Sequence, residues 1–173
     1  MRSIQSKTAK IAFVGITASL ALVLSYLEFL LPPIFVAVPG IKLGLPNIVI
    51  LYVLYCIDLK HAALVSFIRI LMSSILFGNA MTFAYSVAGA VLSLVLMGIL
   101  KKTDLLSAVG VSVVGGVSHN LGQILVAMVV LDTPQIAYYM IVLAITGTVS
   151  GIFVGLCGAM LVKRIPLSKM LKR

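Results

Sequence analysis

The stretch TFAYSVAGAVLSLVLMGILKK, residues 82–102, decides the fold class of this chain. It carries no charged residue from Thr82 to Leu100 and then ends at Lys101 and Lys102. An α-helix needs about 20 apolar residues to cross the hydrocarbon core of a bilayer. The stretch therefore predicts a transmembrane helix that is closed by basic residues at the membrane surface.

The rest of the chain has the same character. Of its 173 residues, 62% are hydrophobic and only 10% are charged, whereas soluble domains are about a quarter charged. Proline, glycine and charged residues divide it into six apolar segments. We interpret these as spans at about 9–31, 47–57, 62–77, 82–100, 107–131 and 136–162. The prediction is an all-α integral membrane protein, a six-transmembrane-helix bundle that forms one transmembrane domain over residues 1–173.

The net charge of +9 comes from short clusters between these segments. A nucleic-acid binder would instead carry its basic residues along one face of a soluble fold, so that class is excluded. With the N-terminus inside, the outer loops hold only Lys42, and Arg69 lies within the third span. The inner side holds Arg2, Lys7, Lys10, Lys60, Lys101, Lys102, Lys163, Arg164, Lys169, Lys172 and Arg173. Because basic loops face the cytoplasm, we predict a multi-pass protein of the bacterial cytoplasmic membrane with both ends inside.

The second segment is short for a membrane span. Its eleven residues, 47–57, would rise roughly 17 Å as a helix, against a hydrocarbon core of about 30 Å. It is either a broken helix that continues into the flanking loop, or one arm of a re-entrant hairpin with the third segment. Short or interrupted spans often line binding sites in transporters.

Polar residues inside the spans are costly and need a reason. Arg69 either pairs with Glu28, binds an anionic ligand or reaches out to the interface. In the fifth span, His119 and Gln123 share one helical face with Asn120 beside them. That face forms a hydrogen-bond network between helices, lines a ligand cavity, or carries a proton relay.

The loop GIKLGLPN, residues 40–47, precedes the second span and is either a mobile lid or a passive connector. Tyr85, near the outer end of the fourth span, is either an interfacial aromatic residue or the cap of a pocket. We predict an outward-facing pocket beneath this loop for a small anionic or polar solute. Its candidate binding residues are Lys42, Asn47, Arg69, Tyr85, His119, Asn120 and Gln123.

Two groups of segments resemble known families. EFLLPP (28–33), PGIKLGLPNIVILYVLY (39–55) and SFIRILMSSILFG (66–78) resemble the substrate-binding membrane subunits, or S components, of energy-coupling-factor vitamin transporters. YSVAGAVLSLVLMGILKK (85–102) and VGVSVVGGVSHNLGQILVA (109–127) are similar to the Gx transporter family, also labelled heptaprenyl diphosphate synthase component I. The resemblance covers about residues 9–162. It implies an S-component-like six-helix bundle that binds a small solute from outside without a cofactor.

The transporter resemblance also implies a partner. In such transporters a transmembrane coupling subunit with two ATPases docks on small residues of the first helix, usually in an A-x-x-x-A pattern. Here the first span instead offers Gly15, Thr17, Ser19, Ala21 and Ser25, which we assign to partner docking. The alternative is that small residues of this kind pack helices inside the bundle.

The enzyme label has a chemical requirement. Prenyl diphosphate synthases bind magnesium through clustered carboxylates. This chain has four acidic residues, no two of them close in sequence, and no P-loop or metal-ligand cluster. It is therefore not expected to be a self-sufficient enzyme.

Three hypotheses follow. The first is an S-component-like subunit for solute uptake. The second is a membrane accessory subunit of heptaprenyl (polyprenyl) diphosphate synthesis, non-catalytic by itself, which contacts a soluble synthase around Lys101–Lys102 and Lys163–Arg164. The third is a scaffold that only assembles membrane partners.

Overall fold

The computed structural model describes residues 7–31 and 43–165, and within them the chain forms six α-helices. A short 3₁₀ helix, Pro134–Tyr139, precedes the last of them. All but α2 are long and apolar enough to cross a membrane. The helices are α1 Lys7–Leu30, α2 Leu45–Cys56, α3 Leu59–Phe77, α4 Ala80–Thr103, α5 Ala108–Leu131 and α6 Met140–Arg164.

The predicted helical membrane bundle is confirmed for these residues. Helices α1 to α4 begin two or three residues earlier than predicted, and for α3 and α4 the reason is that polar side chains cap them. Asp58 accepts a 2.8 Å hydrogen bond from the His61 amide and starts α3 at Leu59. Asn79 and Thr82 bond to each other's backbone amides and start α4 at Ala80. Such caps satisfy amides that have no partner within the helix.

Helix α2 differs from the others in length and position. Its 12 residues rise roughly 18 Å, so six full crossings stay a prediction. Val49 to Leu54 are all buried, and α2 packs against α1, α3 and α6. A helix that is apolar on every side is stable only when it is covered on every side. Helix α2 is therefore the buried centre of this part of the bundle.

The contacts of α2 fix the directions of its neighbours. The Tyr52 hydroxyl donates to the Ile165 carbonyl at 3.0 Å, and Lys101 Nζ donates to the Leu54 carbonyl at 2.5 Å. The C-terminal ends of α2, α4 and α6 therefore meet. At the opposite end, the rings of Phe29 and Phe77 lie 5.1 Å apart, so α1 and α3 run in the same direction. The turn between α2 and α3 thus reaches the end of the bundle where α4 and α6 finish.

Helices α5 and α6 approach closely through glycine. A Cβ atom added to Gly151 would lie 2.6 Å from Val113 Cα, and one added to Gly155 would lie 2.7 Å from Val109 Cα. Neither position has room for a side chain. The small residues of the sixth span thus pack α6 onto α5, as expected for membrane helices.

The small residues of α1 divide between two faces. Thr17, Ala21 and Ser25 are buried, and Ala21 belongs to the core that α1 forms with α2 and α3. Gly15 and Ser19 are exposed. In this arrangement, three of the five residues assigned to docking are covered by the bundle itself. A partner outside the bundle reaches only Gly15 and Ser19.

Candidate functional site

Two of the predicted binding residues meet where α2 begins. Asn47 lies in the first turn of α2, and Arg69 lies in the middle of α3. Arg69 Nη2 donates to Asn47 Oδ1 at 3.4 Å, which is longer than the usual 2.9–3.0 Å. The contact is weak, and it leaves Arg69 with further donors.

A carboxylate also acts on Arg69 electrostatically, without a direct ion pair between the two described side chains. Glu28, near the end of α1, attracts the guanidinium electrostatically and accepts a hydrogen bond from the Gly44 amide. Arg69 Nε is buried and has no hydrogen-bond partner among the described residues. Arg69 therefore combines a counter-ion with an unused donor, and pairing does not exclude ligand binding.

A cavity opens beside this cluster, at the junction of α2 through α6. The space open to water-sized molecules is about 40 Å³, room for about three waters. Asn47 and His119 line it, and so do serines from four different helices: Ser66, Ser93, Ser112 and Ser150.

Gly89 sets the place of His119. A Cβ atom added to Gly89 would lie 2.7 Å from the His119 carbonyl oxygen and 3.0 Å from its ring Nε2. Helix α4 therefore passes directly over the imidazole and holds it at the cavity wall.

The structure separates the remaining predicted residues from this cavity. Asn120 Nδ2 donates to the Leu143 carbonyl of α6 at 2.8 Å, a bond between helices. Tyr85 and Gln123 are half-buried and are not among the residues that line the cavity. Lys42 lies outside the described residues. Asn47, Arg69 and His119 are thus the predicted residues that the fold brings to one region.

The four serines that line the cavity are not among the binding residues predicted from the sequence. A serine in a membrane helix usually bonds to the carbonyl one turn back, as Ser25 does to Ala21 at 2.9 Å. One signal was available, because Ser112 and His119 lie two turns apart on one face of α5 with Gly115 and Gly116 between them.

A second candidate region is the end of the bundle where α2, α4 and α6 finish, here called the basic end. Its basic residues are Lys10, Lys60, Lys101, Lys102, Lys163 and Arg164. Lys101 is engaged by the Leu54 carbonyl and lies 5.4 Å from the centre of the Tyr55 ring. Lys102, Lys163 and Arg164 are exposed. The fold thus gathers cations from four helices on one surface.

Asp58 is an acidic group at this end. Burial alone would raise the pKa of its carboxyl, but bonds from the amide and ring of His61, both 2.8 Å, outweigh burial and lower it. A lowered pKa stabilises the fold above the carboxyl's ordinary pKa, and the benefit is lost as the pH falls through the lowered value. The cap on α3 is therefore intact at neutral pH.

Comparison with known families adds a finding that the geometry does not supply. Residues 17–161 match the family model described as heptaprenyl diphosphate synthase component I. The chain belongs to this family. The similarity seen in its second half is thereby confirmed. Neither a search of curated proteins nor a search of solved structures gave a significant match.

The family name directs attention to the acidic residues. The four in the sequence are Glu28, Asp58, Asp104 and Asp132, and all fall within the described residues. Glu28 lies near the end of α1, Asp58 caps α3, and the other two follow α4 and α5. No group of three or more His, Cys, Asp or Glu side chains in the described ranges could hold a metal ion.

The coupling between Glu28 and Arg69 is testable by a double-mutant cycle. We expect Glu28→Gln to destabilise the protein by about 1–3 kcal/mol, because it leaves a buried guanidinium without its counter-ion. In the double variant Glu28→Gln/Arg69→Met, the loss in free energy of unfolding should be smaller than the sum of the losses in the two single variants by about 1 kcal/mol or more. Circular dichroism during unfolding in detergent micelles measures the free energy of unfolding of the two single variants and the double variant.

A distant pair serves as the control for this cycle. Glu28→Gln combined with Lys102→Gln should give additive costs, because these side chains lie at opposite ends of the bundle. Additive costs for Glu28 and Arg69 themselves would contradict the pairing.

Proposed function

We propose that this chain is a membrane component of heptaprenyl diphosphate synthesis that works with a soluble synthase subunit and is not catalytic by itself. The observation that carries the proposal is the family match over residues 17–161. The helical membrane bundle supports it, because a membrane component would hold the synthesis where its long apolar product accumulates.

The distribution of carboxylates supports the non-catalytic role. Diphosphate chemistry of this kind uses magnesium ions held by clustered carboxylates. Glu28 already accepts a hydrogen bond from Gly44, and Asp58 is engaged by His61. The two acidic residues that remain, Asp104 and Asp132, lie beyond opposite ends of α5. The magnesium-dependent step therefore belongs to the partner.

The basic end is the proposed docking surface for that partner. Among its exposed cations, Lys102, Lys163 and Arg164 protrude from the ends of α4 and α6. A partner with an acidic patch would be attracted and oriented by this surface. The positive-inside rule places it on the cytoplasmic face, where a soluble synthase would meet the membrane.

Removing two of these charges should weaken the complex. We expect Lys102→Gln/Lys163→Gln to lower the affinity for the soluble synthase subunit by about tenfold at low salt, because two exposed charge contacts are lost. Co-purification from membranes and the stimulation of synthase activity by vesicles containing the chain measure the effect.

The matched control changes the net charge equally at the other end. Asn79→Asp/Gln135→Glu also lowers it by two, lies beyond the ends of α3 and α5, and should leave binding intact. Asp replaces Asn as an N-cap without loss. If the wild-type chain neither co-purifies with a prenyl synthase nor stimulates it, the proposed function is wrong.

A second candidate function is favoured by the cavity between the helices, whose wall includes several polar side chains. It is a substrate-binding subunit for uptake of a small polar or anionic solute, driven by a transmembrane coupling subunit with ATPases. The cavity has two of the predicted binding residues, Asn47 and His119, in its wall. Its small size means that a larger solute would require α2 to move relative to α4 and α5.

The uptake hypothesis makes its own prediction. Cells with the wild-type chain should deplete one small solute from the medium, and cells with Asn47→Ala should leave it there. Comparison of spent media by mass spectrometry measures this, with Gln135→Ala, at an exposed position beyond the end of α5, as control. A medium unchanged by deletion of the chain would exclude uptake.

A further inference from the structure

We propose that the cavity at the junction of α2 through α6 binds a small oxyanion group, a carboxylate or a phosphate. Its wall carries hydroxyl, amide and imidazole groups and no acidic side chain. This inference concerns the cavity alone, so it does not depend on docking of a synthase. It narrows the ligand class of the uptake hypothesis from a polar or anionic solute to an oxyanion.

The first support is a set of serines, largely buried, whose hydroxyls have no protein partner among the described residues and which line the cavity. Ser66, Ser93 and Ser112 are only 3%, 6% and 4% exposed, and each lines the cavity. None forms a hydrogen bond with the described residues, in contrast to Ser118, which bonds to Val114 at 2.6 Å. Buried polar groups are normally paired with protein, water or a ligand. The hydrogen-bond partners of these hydroxyls are therefore expected to be molecules inside the cavity.

The second support is an excess of donors. Asn47 Oδ1 is occupied by Arg69, so its amide NH₂ group is left to donate. Each serine hydroxyl can donate one hydrogen bond. The Glu28 carboxylate is engaged by the Gly44 amide. The groups around the cavity thus offer donors to a ligand that supplies oxygen acceptors.

The third support is a buried donor next to the cavity. Arg69 contacts the lining residue Asn47 directly, and its Nε is buried without a partner in the described chain. An apolar group in the cavity would leave the serine hydroxyls unpaired. An oxyanion offers acceptors to these donors, and hydrogen bonds to charged acceptors are the stronger kind.

Size limits the occupant. About 40 Å³ holds roughly three waters, which is room for the head of a ligand and not for a vitamin-sized body. The cavity as described therefore suits one carboxylate or phosphate group, and the rest of a larger ligand would need the helices to separate.

Thermal unfolding of the purified full-length chain in detergent tests the site, with sodium acetate and inorganic phosphate as the two probes. Sodium chloride balances the ionic strength and glycerol is the neutral comparator. We expect at least one oxyanion to raise the melting temperature by about 3 °C or more at saturation, and glycerol to have no effect. The two anion arms tell a carboxylate site from a phosphate site.

The variant Ser93→Ala/Ser112→Ala separates binding from folding. Removing hydroxyls that have no protein partner in the described part of the chain should leave the melting temperature without ligand unchanged or higher, while the apparent affinity for the anion falls by at least about tenfold. Should the double variant fail to fold, each single variant should show a smaller loss of affinity. The control Ser19→Ala, on the exposed face of α1, should respond as the wild type does.

The variant Lys102→Gln/Lys163→Gln checks that the anion does not act at the basic end, and it should keep the full response. The inference is overturned if neither anion stabilises the wild type, which would mean a cavity that holds water only. It is also overturned if the serine variants respond fully, or if the lysine variant loses the response. Binding without any uptake in cells would leave the site standing and remove only the transport role.

Discussion

A helix of 12 residues cannot cross a bilayer alone, and α2 is such a helix at the centre of this bundle. Its ends must find hydrogen-bond partners inside the protein, because lipid offers none. At one end Lys101 donates to the Leu54 carbonyl. At the other, Gly44 begins the helix in a left-handed conformation, and its amide donates to Glu28. The residue that binds the C-terminal end of α2, Lys101, therefore belongs to the basic end. The residue that binds its N-terminal end, Glu28, belongs to the cluster around Arg69 beside the cavity.

This constraint explains why the polar residues lie where they do. Because α2 begins at Leu45, Asn47 in its first turn contacts Arg69 in the middle of α3 and lines the cavity. Glu28 then serves the start of α2 and the charge of Arg69 together. At the other end of α2, the turn at Asp58 lies beside the C-terminal ends of α4 and α6. The cations of the basic end come together there. One short helix thus links a polar interior with a charged surface.

Much of the fold could be predicted from the sequence, because apolar length and basic ends are simple signals. Each predicted apolar segment forms a helix, while the starts of α3 and α4 depend on the caps Asp58 and Asn79. The faces of the helices were harder to assign. Ala21 and Gly15 are both small, yet one is covered by α2 and α3 and the other is exposed. Asn120 and His119 are adjacent but turn about 100° apart, so one bonds to α6 and the other reaches the cavity. The serines at the cavity were missed because only the folded chain shows that they bond to no carbonyl.

The central claim is that α2 returns the chain to the basic end, so that Lys60 and Lys102 lie on one side of the membrane. Single cysteines test it directly: with Cys56 and Cys157 replaced by Ala, Lys60→Cys, Lys102→Cys and Gln135→Cys are labelled in turn. An impermeant maleimide is applied to right-side-out and inverted vesicles. We predict that the cysteines at positions 60 and 102 react only from the cytoplasmic side, and the one at 135 only from the other. Labelling of positions 60 and 102 from opposite sides would contradict the account.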